Sequence, residues 1–203
     1  MQMRFGYTAD TSEIATRCIC RVTGGMYSHV FPVFYGGGQP IYFESIFKRC
    51  ESIDEKDNRI MKSGVRGPLA LSGVREWRDE EPRTRRFRLQ PEYGYLPFTE
   101  EECDMSFKIL AAAVHSVTYA PTQILRVWLK QRLHMNLYSG NGSKEDDDWT
   151  CSETCARATP PSLQHYFDLG TFTFDMITPS GDRLMSVERA TNEMIADIGV
   201  RAE

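Results

Sequence analysis

No apolar run in these 203 residues approaches the ~20 needed to cross a bilayer as a helix; the longest, such as Ile109 to Val114, are far shorter. Met1 to Thr8 also lacks an apolar stretch of signal-peptide length, so the expectation is a cytoplasmic protein with no membrane span. An excess of one charge is missing too: 24 Lys and Arg against 28 Asp and Glu give a formal net charge of −4, with a mean hydropathy of −0.43. That balance argues against a strongly basic nucleic-acid binder and against a disordered acidic chain. Cysteine is sparse for a secreted disulfide scaffold, with six thiols at 18, 20, 50, 103, 151 and 155. Cys18-Ile-Cys20 and Cys151-Ser-Glu-Thr-Cys155 lack the paired spacing of a zinc knuckle and have no histidine beside them. Reduced thiols, no metal and no organic cofactor are therefore expected.

What is present is enough apolar material, 41% of the chain, for one domain spanning 1–203. No internal repeat or low-complexity linker divides it. Met3 to Thr8 alternates as a first strand. Asp10-Thr-Ser-Glu13 has the form of a capping box for a helix over Glu13 to Val22, stopped by Gly24-Gly25. Val30-Phe-Pro-Val-Phe-Tyr35, three glycines and Ile41-Tyr-Phe-Glu-Ser-Ile-Phe47 then spell a β-hairpin, in which Pro32 argues for an edge position or a bulge. Between Cys50 and Glu92, glycines and prolines break the pattern into short strands, around Pro68 to Val74 and Thr84 to Leu89. Thr99 caps a helix with three glutamates in its first turn, a second helix is expected over Pro121 to Met135, and Tyr138 to Asp148 is a polar loop.

Four histidines offer proton chemistry near neutrality. His115, His134 and His165 have ordinary explanations in packing, capping or exposure. His29 opens one arm of the hairpin, and Glu44 in the opposing arm either points to solvent or approaches the same end of the sheet to orient the imidazole. A nucleophile candidate is Cys151 in Trp149-Thr-Cys-Ser-Glu-Thr-Cys155, at the start of a helix whose unpaired amides and dipole favour a thiolate. Cys155, one turn on, reads as a buried inert thiol, and Asp146 to Asp148 just upstream oppose ionisation of Cys151 unless they turn outward. The run Arg83-Thr-Arg-Arg-Phe-Arg88 is the solvated face of an edge strand in preference to an anion site, and Gly140-Asn-Gly142 is a loop or a lid.

Tyr27-Ser-His29-Val, Glu44 on the next strand, and an aromatic-Thr-Cys151-Ser-Glu far downstream together resemble the circularly permuted branch of the NlpC-type, papain-like cysteine hydrolases, often called YiiX-like. In that branch the histidine hairpin comes first and the cysteine helix last. The resemblance runs from about Gly6 to Leu184 if Ile177 to Leu184 is the family's Thr-Pro segment, and its specificity lies in motif order. It implies an α+β, permuted papain-like fold, with a small antiparallel sheet packed against the helix carrying the nucleophile. Cys151 is then the nucleophile, His29 the general base and acid, and Glu44 the residue orienting His29. Tyr119 in Val117-Thr-Tyr-Ala-Pro121 corresponds to a substrate-positioning tyrosine, although Ala120 replaces the Asp that often follows. The implied activity is peptidase or amidase chemistry on an amide or ester carbonyl, cell-wall peptides being the superfamily's usual substrates. Two other readings stay open: lipid acyl transfer or thioester hydrolysis on the same fold, and an inactive hydrolase-like module that binds a partner. The number of copies that associate is left open.

Overall fold

Alternating buried and outward residues make Gln2–Thr8 the first strand, β1, and its pairing with β2, His29–Tyr35, runs the full length from Gln2↔Tyr35 to Thr8↔His29. The computed structural model describes residues 1–8, 14–53, 59–71, 87–89, 95–119, 149–167, 178–180 and 186–199. β3, Ile41–Ile53, and β4, Arg59–Ala70, form a long hairpin with three register shifts, and β5, Phe87–Leu89, pairs with the far end of β1. All neighbours are antiparallel, in the order β4-β3-β2-β1-β5. With helices α1, Ile14–Thr23, α2, Glu100–Ser116, α3, Cys151–Ala158, and α4, Val187–Gly199, the protein is a mixed α+β structure built on a small antiparallel sheet.

One face of the sheet carries the main core. Met3, Phe5 and Tyr7 of β1, Val30 and Phe34 of β2 and Phe43 of β3 bury against Cys103 and Leu110 of α2, Cys155 and Ala156 of α3, and Ala190 and Met194 of α4. Phe107 stands edge-on to both Phe34 and Phe43, at centroid separations of 5.6 and 5.3 Å, which couples α2 to the middle of the sheet. Each such ring contributes about 2 kcal/mol by leaving water. The opposite face is thinner, with Phe31 and Val33 packed on Tyr35, Tyr42 and Leu71. The caps expected at Gly24 and Thr99 are in place. Gly24 takes a positive φ of 69° after α1, and Thr99 and Glu102 form a reciprocal capping box on α2.

Two expectations need correction. β2 is not an edge strand, since β1 and β3 flank it. Pro32 is tolerated because the paired positions with β3 are Val33↔Tyr42 and Phe34↔Ile41, next to the glycine turn, so the ladder has already ended at the proline. The region after Cys50 is also more regular than its glycines suggest. β3 continues to Ile53 and β4 is one strand through Gly64 and Gly67, overlapping the expected Pro68 to Val74 strand only at its end. Gly64 sits at φ 128°, and a Cβ there would lie 2.2 Å from the Val117 carbonyl oxygen, so this glycine marks where the chain leaving α2 crosses the strand rather than a loop. The capping box at 10–13, the expected helix at 121–135, the polar loop and the aspartates before Cys151 lie outside the described residues. Among the described residues no helix is long and apolar enough to cross a membrane.

Candidate active site

The site arises where the sheet splits. Carried on at the register of Val33↔Tyr42, Val30 would face Ser45 and Phe31 would face Glu44. Instead the ladder stops, and the segment entering α3 fills the gap. The Ser45 hydroxyl donates to the Trp149 carbonyl at 2.8 Å, and the Val30 backbone N–H donates to the Cys151 sulfur. Trp149 is tied on its other side by its own N–H to the Thr118 carbonyl, 2.8 Å away. A wedge of this kind lets a buried cysteine at a helix start meet groups that the pleat of β2 and β3 would otherwise direct to the other face.

The local sequence dictates that start. Thr150 is the N-cap; its hydroxyl accepts from the Glu153 N–H at 3.3 Å and the Glu153 carboxylate accepts from the Thr150 N–H at 2.7 Å. The backbone ladder begins with the Thr154 N–H on the Thr150 carbonyl, so the amides of Cys151 and Ser152 have no acceptor within the helix. Cys151 is 6% exposed, and Ser152, Glu153, Thr154 and Cys155 behind it are buried.

His29 begins β2, and its Nε2 lies 3.1 Å from Oε2 of Glu44, itself 3% exposed. The ring also engages the Cys151 thiol, which leaves Nδ1 as the nitrogen free to exchange a proton with sulfur. Burial pushes the Cys151 thiol up, but the hydrogen bond and charge of His29, the Val30 amide and the Ser152 hydroxyl outweigh it, and the net shift is downward from the ordinary 9.0. For His29 burial acts downward, and the hydrogen bonds and charges of Cys151 and Glu44 together raise it from 6.5 to about 9. The charged forms of the thiol and the imidazole thus favour each other.

Tyr119 follows the Val117–Thr118 segment that braces Trp149. Burial, then the charges of Cys151 and Glu153, hold its phenol well above the ordinary 10.0, so its hydroxyl is neutral. Cys155 is fully buried, and burial followed by the Cys151 charge holds its thiol well above 9.0. The loop into His29 is fastened from the far end of the chain: the Tyr27 N–H donates to Ser180 Oγ at 3.1 Å, and Gly25 comes so close that a Cβ would lie 2.1 Å from the Ser180 carbonyl.

Cys151, His29 and Glu44 therefore meet directly, and Tyr119 lies within electrostatic reach of the sulfur. Sequence reasoning missed Arg66 of β4, whose guanidinium forms an ion pair with Oε1 of Glu44. The signal was the β3–β4 register, Glu44↔Arg66, hidden because Gly64 and Gly67 were read as loop residues. Arg83 to Arg86 lie outside the described residues, as does the 138–148 loop. Among the described residues no group of three His, Cys, Asp or Glu side chains could hold a metal ion. Fold and site define an α+β protein with a Cys–His–Glu cluster at a helix mouth. No family model matches the chain, and no curated protein matches it.

Proposed function

We propose that the protein is a cysteine hydrolase of the permuted papain-like type, a peptidase or amidase that forms an acyl-enzyme on Cys151. The observation that carries this reading is the His29 ring held between the Glu44 carboxylate and the Cys151 thiol at the first turn of α3. The thiolate attacks an amide or ester carbonyl, and the oxyanion that develops faces the Cys151 amide at the helix start, a donor worth about 3 kcal/mol of barrier in comparable sites. The imidazolium then protonates the leaving amine or alkoxide from Nδ1. With the thioester formed, neutral His29 takes a proton from a water as its oxygen adds to the thioester carbonyl, and the C–S bond then breaks, which releases the acid and restores the thiolate–imidazolium pair. Glu44 holds the ring and stabilises its charge. Tyr119, a half-buried neutral hydroxyl within electrostatic reach of sulfur, supplies a hydrogen bond for positioning the acyl group. Short peptides of the cell-wall type are the substrate class we assign to it.

The test is competitive labelling with iodoacetamide near neutral pH, read site by site by mass spectrometry. Selective alkylation of Cys151, abolished in His29→Ala, is the expected result. Slow, equal labelling at all reactive thiols would sink the proposal and favour a hydrolase-like binding module.

A further inference from the structure

The Glu44 carboxylate is shared: Oε2 faces His29 Nε2, while Oε1 is taken by the Arg66 guanidinium from the neighbouring strand. Arg66 is placed for this by register, directly opposite Glu44 in the β3–β4 hairpin, and both side chains are shielded, at 15% and 3% exposure. A carboxylate with one partly buried cation on each side is constrained in rotamer and divided in its attraction. We infer that Arg66 is a positioning residue, which pins Glu44 to the His29 ring and limits the carboxylate's grip on the imidazolium, so that the ring can give its proton to the leaving group. This rests on the hydrolase reading above.

Among the described residues, the charged and titratable groups at the site and on the elements packed about it come from several elements. β2 supplies His29, β3 Glu44 and β4 Arg66. From α3 come Cys151 and Glu153, with Arg157 lying over the Trp149 ring at 5.0 Å, and Tyr119 comes from the segment after α2. α2 itself meets β4 through apolar side chains, Ala113 beside Val65, with Val117 following the helix. Arg66 is thus a cation that offsets Glu44 at His29. Removing its charge leaves Glu44 to act more strongly on the imidazolium and withdraws a positive charge from the neighbourhood of the thiolate. Both changes favour bound protons, so both groups titrate at higher pH.

Two readings test this on the full-length protein: the pH dependence of Cys151 alkylation by iodoacetamide, which follows the thiolate, and the NMR titration of the His29 ring proton, which follows the imidazolium. In Arg66→Gln both midpoints should rise by about half to one pH unit, while Arg66→Lys, which keeps the charge, should stay within a few tenths of wild type. A residue that merely supports the fold would slow alkylation or lower stability with both midpoints unmoved, and that result would overturn the assignment, as would a downward shift. Should Arg66→Gln fail to fold, the double variant Glu44→Gln/Arg66→Gln, which leaves no buried charge unpaired, is compared with Glu44→Gln alone. The double variant should titrate at higher pH, and equal midpoints would overturn the role. The two ideas fail separately: a wild-type Cys151 that titrates as an ordinary thiol defeats the hydrolase proposal, whereas a depressed wild-type midpoint left unchanged by Arg66→Gln defeats this one only.

Discussion

Burial by itself would make Cys151 a poor nucleophile, because a thiolate at 6% exposure loses most of its hydration. His29 reverses that, and the reversal is visible one residue at a time. In His29→Ala the desolvation remains while the compensating hydrogen bond and charge are gone, so the thiol should move above 9.0 and alkylation near neutral pH should fall by at least tenfold. The rate of iodoacetamide modification of Cys151 checks this directly. Glu44→Gln keeps the side chain's shape and removes its charge. His29 should then become less basic, lowering the upper limit of the pH range over which the imidazolium persists, as read from its NMR titration. Cys155 is the internal control: equally buried, four residues on, and without an imidazole partner, it should remain unmodified throughout.

At the scale of elements, the reactive sulfur depends on where α3 starts, and Thr150 and Glu153 set that start by reciprocal capping. Thr150→Val keeps the volume but deletes the accepting hydroxyl. It should cost about 1 kcal/mol in urea unfolding and slow Cys151 alkylation, since fraying of the first turn moves sulfur away from the ring. The crossing between β4 and the chain leaving α2 is less forgiving. Gly64→Ala places a methyl on the Val117 carbonyl at a φ that side chains avoid, so a loss of at least about 2 kcal/mol is expected in the same assay. These two sites also mark the border of what the sequence discloses. The helix start at Cys151 was legible from local sequence, though its Thr150–Glu153 cap was not read, and β1, β2, the start of β3 and the Thr99 cap were legible for the same local reason. Glu44 was legible only as one of two placements, in solvent or at the His29 end of the sheet, since a hairpin brings its arms together without deciding which way a side chain at a broken ladder turns. Arg66 was not legible, since strand β4 depends on a glycine that tolerates a crossing segment distant in sequence. The split between β2 and β3 was hidden as well: Pro32 signalled an interrupted ladder, but only the packed chain shows that the interruption is filled by residues 149–151.

For the molecule as a whole, the buried pair governs how stability depends on pH. His29 binds its proton more tightly folded than unfolded, about 9 against 6.5, so its own contribution is full below 6.5 and is lost as pH rises through about 9. Cys151 behaves oppositely: its contribution is full above 9.0 and is lost as pH falls through its lowered folded value. With the thiol ionised at neutral pH, as the hydrolase proposal requires, the folded pair between about 6.5 and 9 holds one proton, on nitrogen, and the unfolded pair also holds one, on sulfur. Neither state binds more, so this pair adds no slope in that interval. Below 6.5 the unfolded imidazole takes a second proton that the folded pair refuses until the thiolate is titrated, and stability falls with acid. His29→Ala lacks that response, because its buried thiol stays protonated in both states from acid to neutral pH. The difference in unfolding free energy between wild type and His29→Ala, measured by urea titration, should therefore be constant from about pH 7 to about pH 8.5 and smaller near about pH 5.5. The change can reach at most about 1.4 kcal/mol per pH unit. A folded state carrying imidazolium beside a neutral thiol would bind one proton more than the unfolded chain at neutrality. The difference would then shrink steadily between pH values of about 7 and 8.5, and that slope would show that no thiolate pairs with His29.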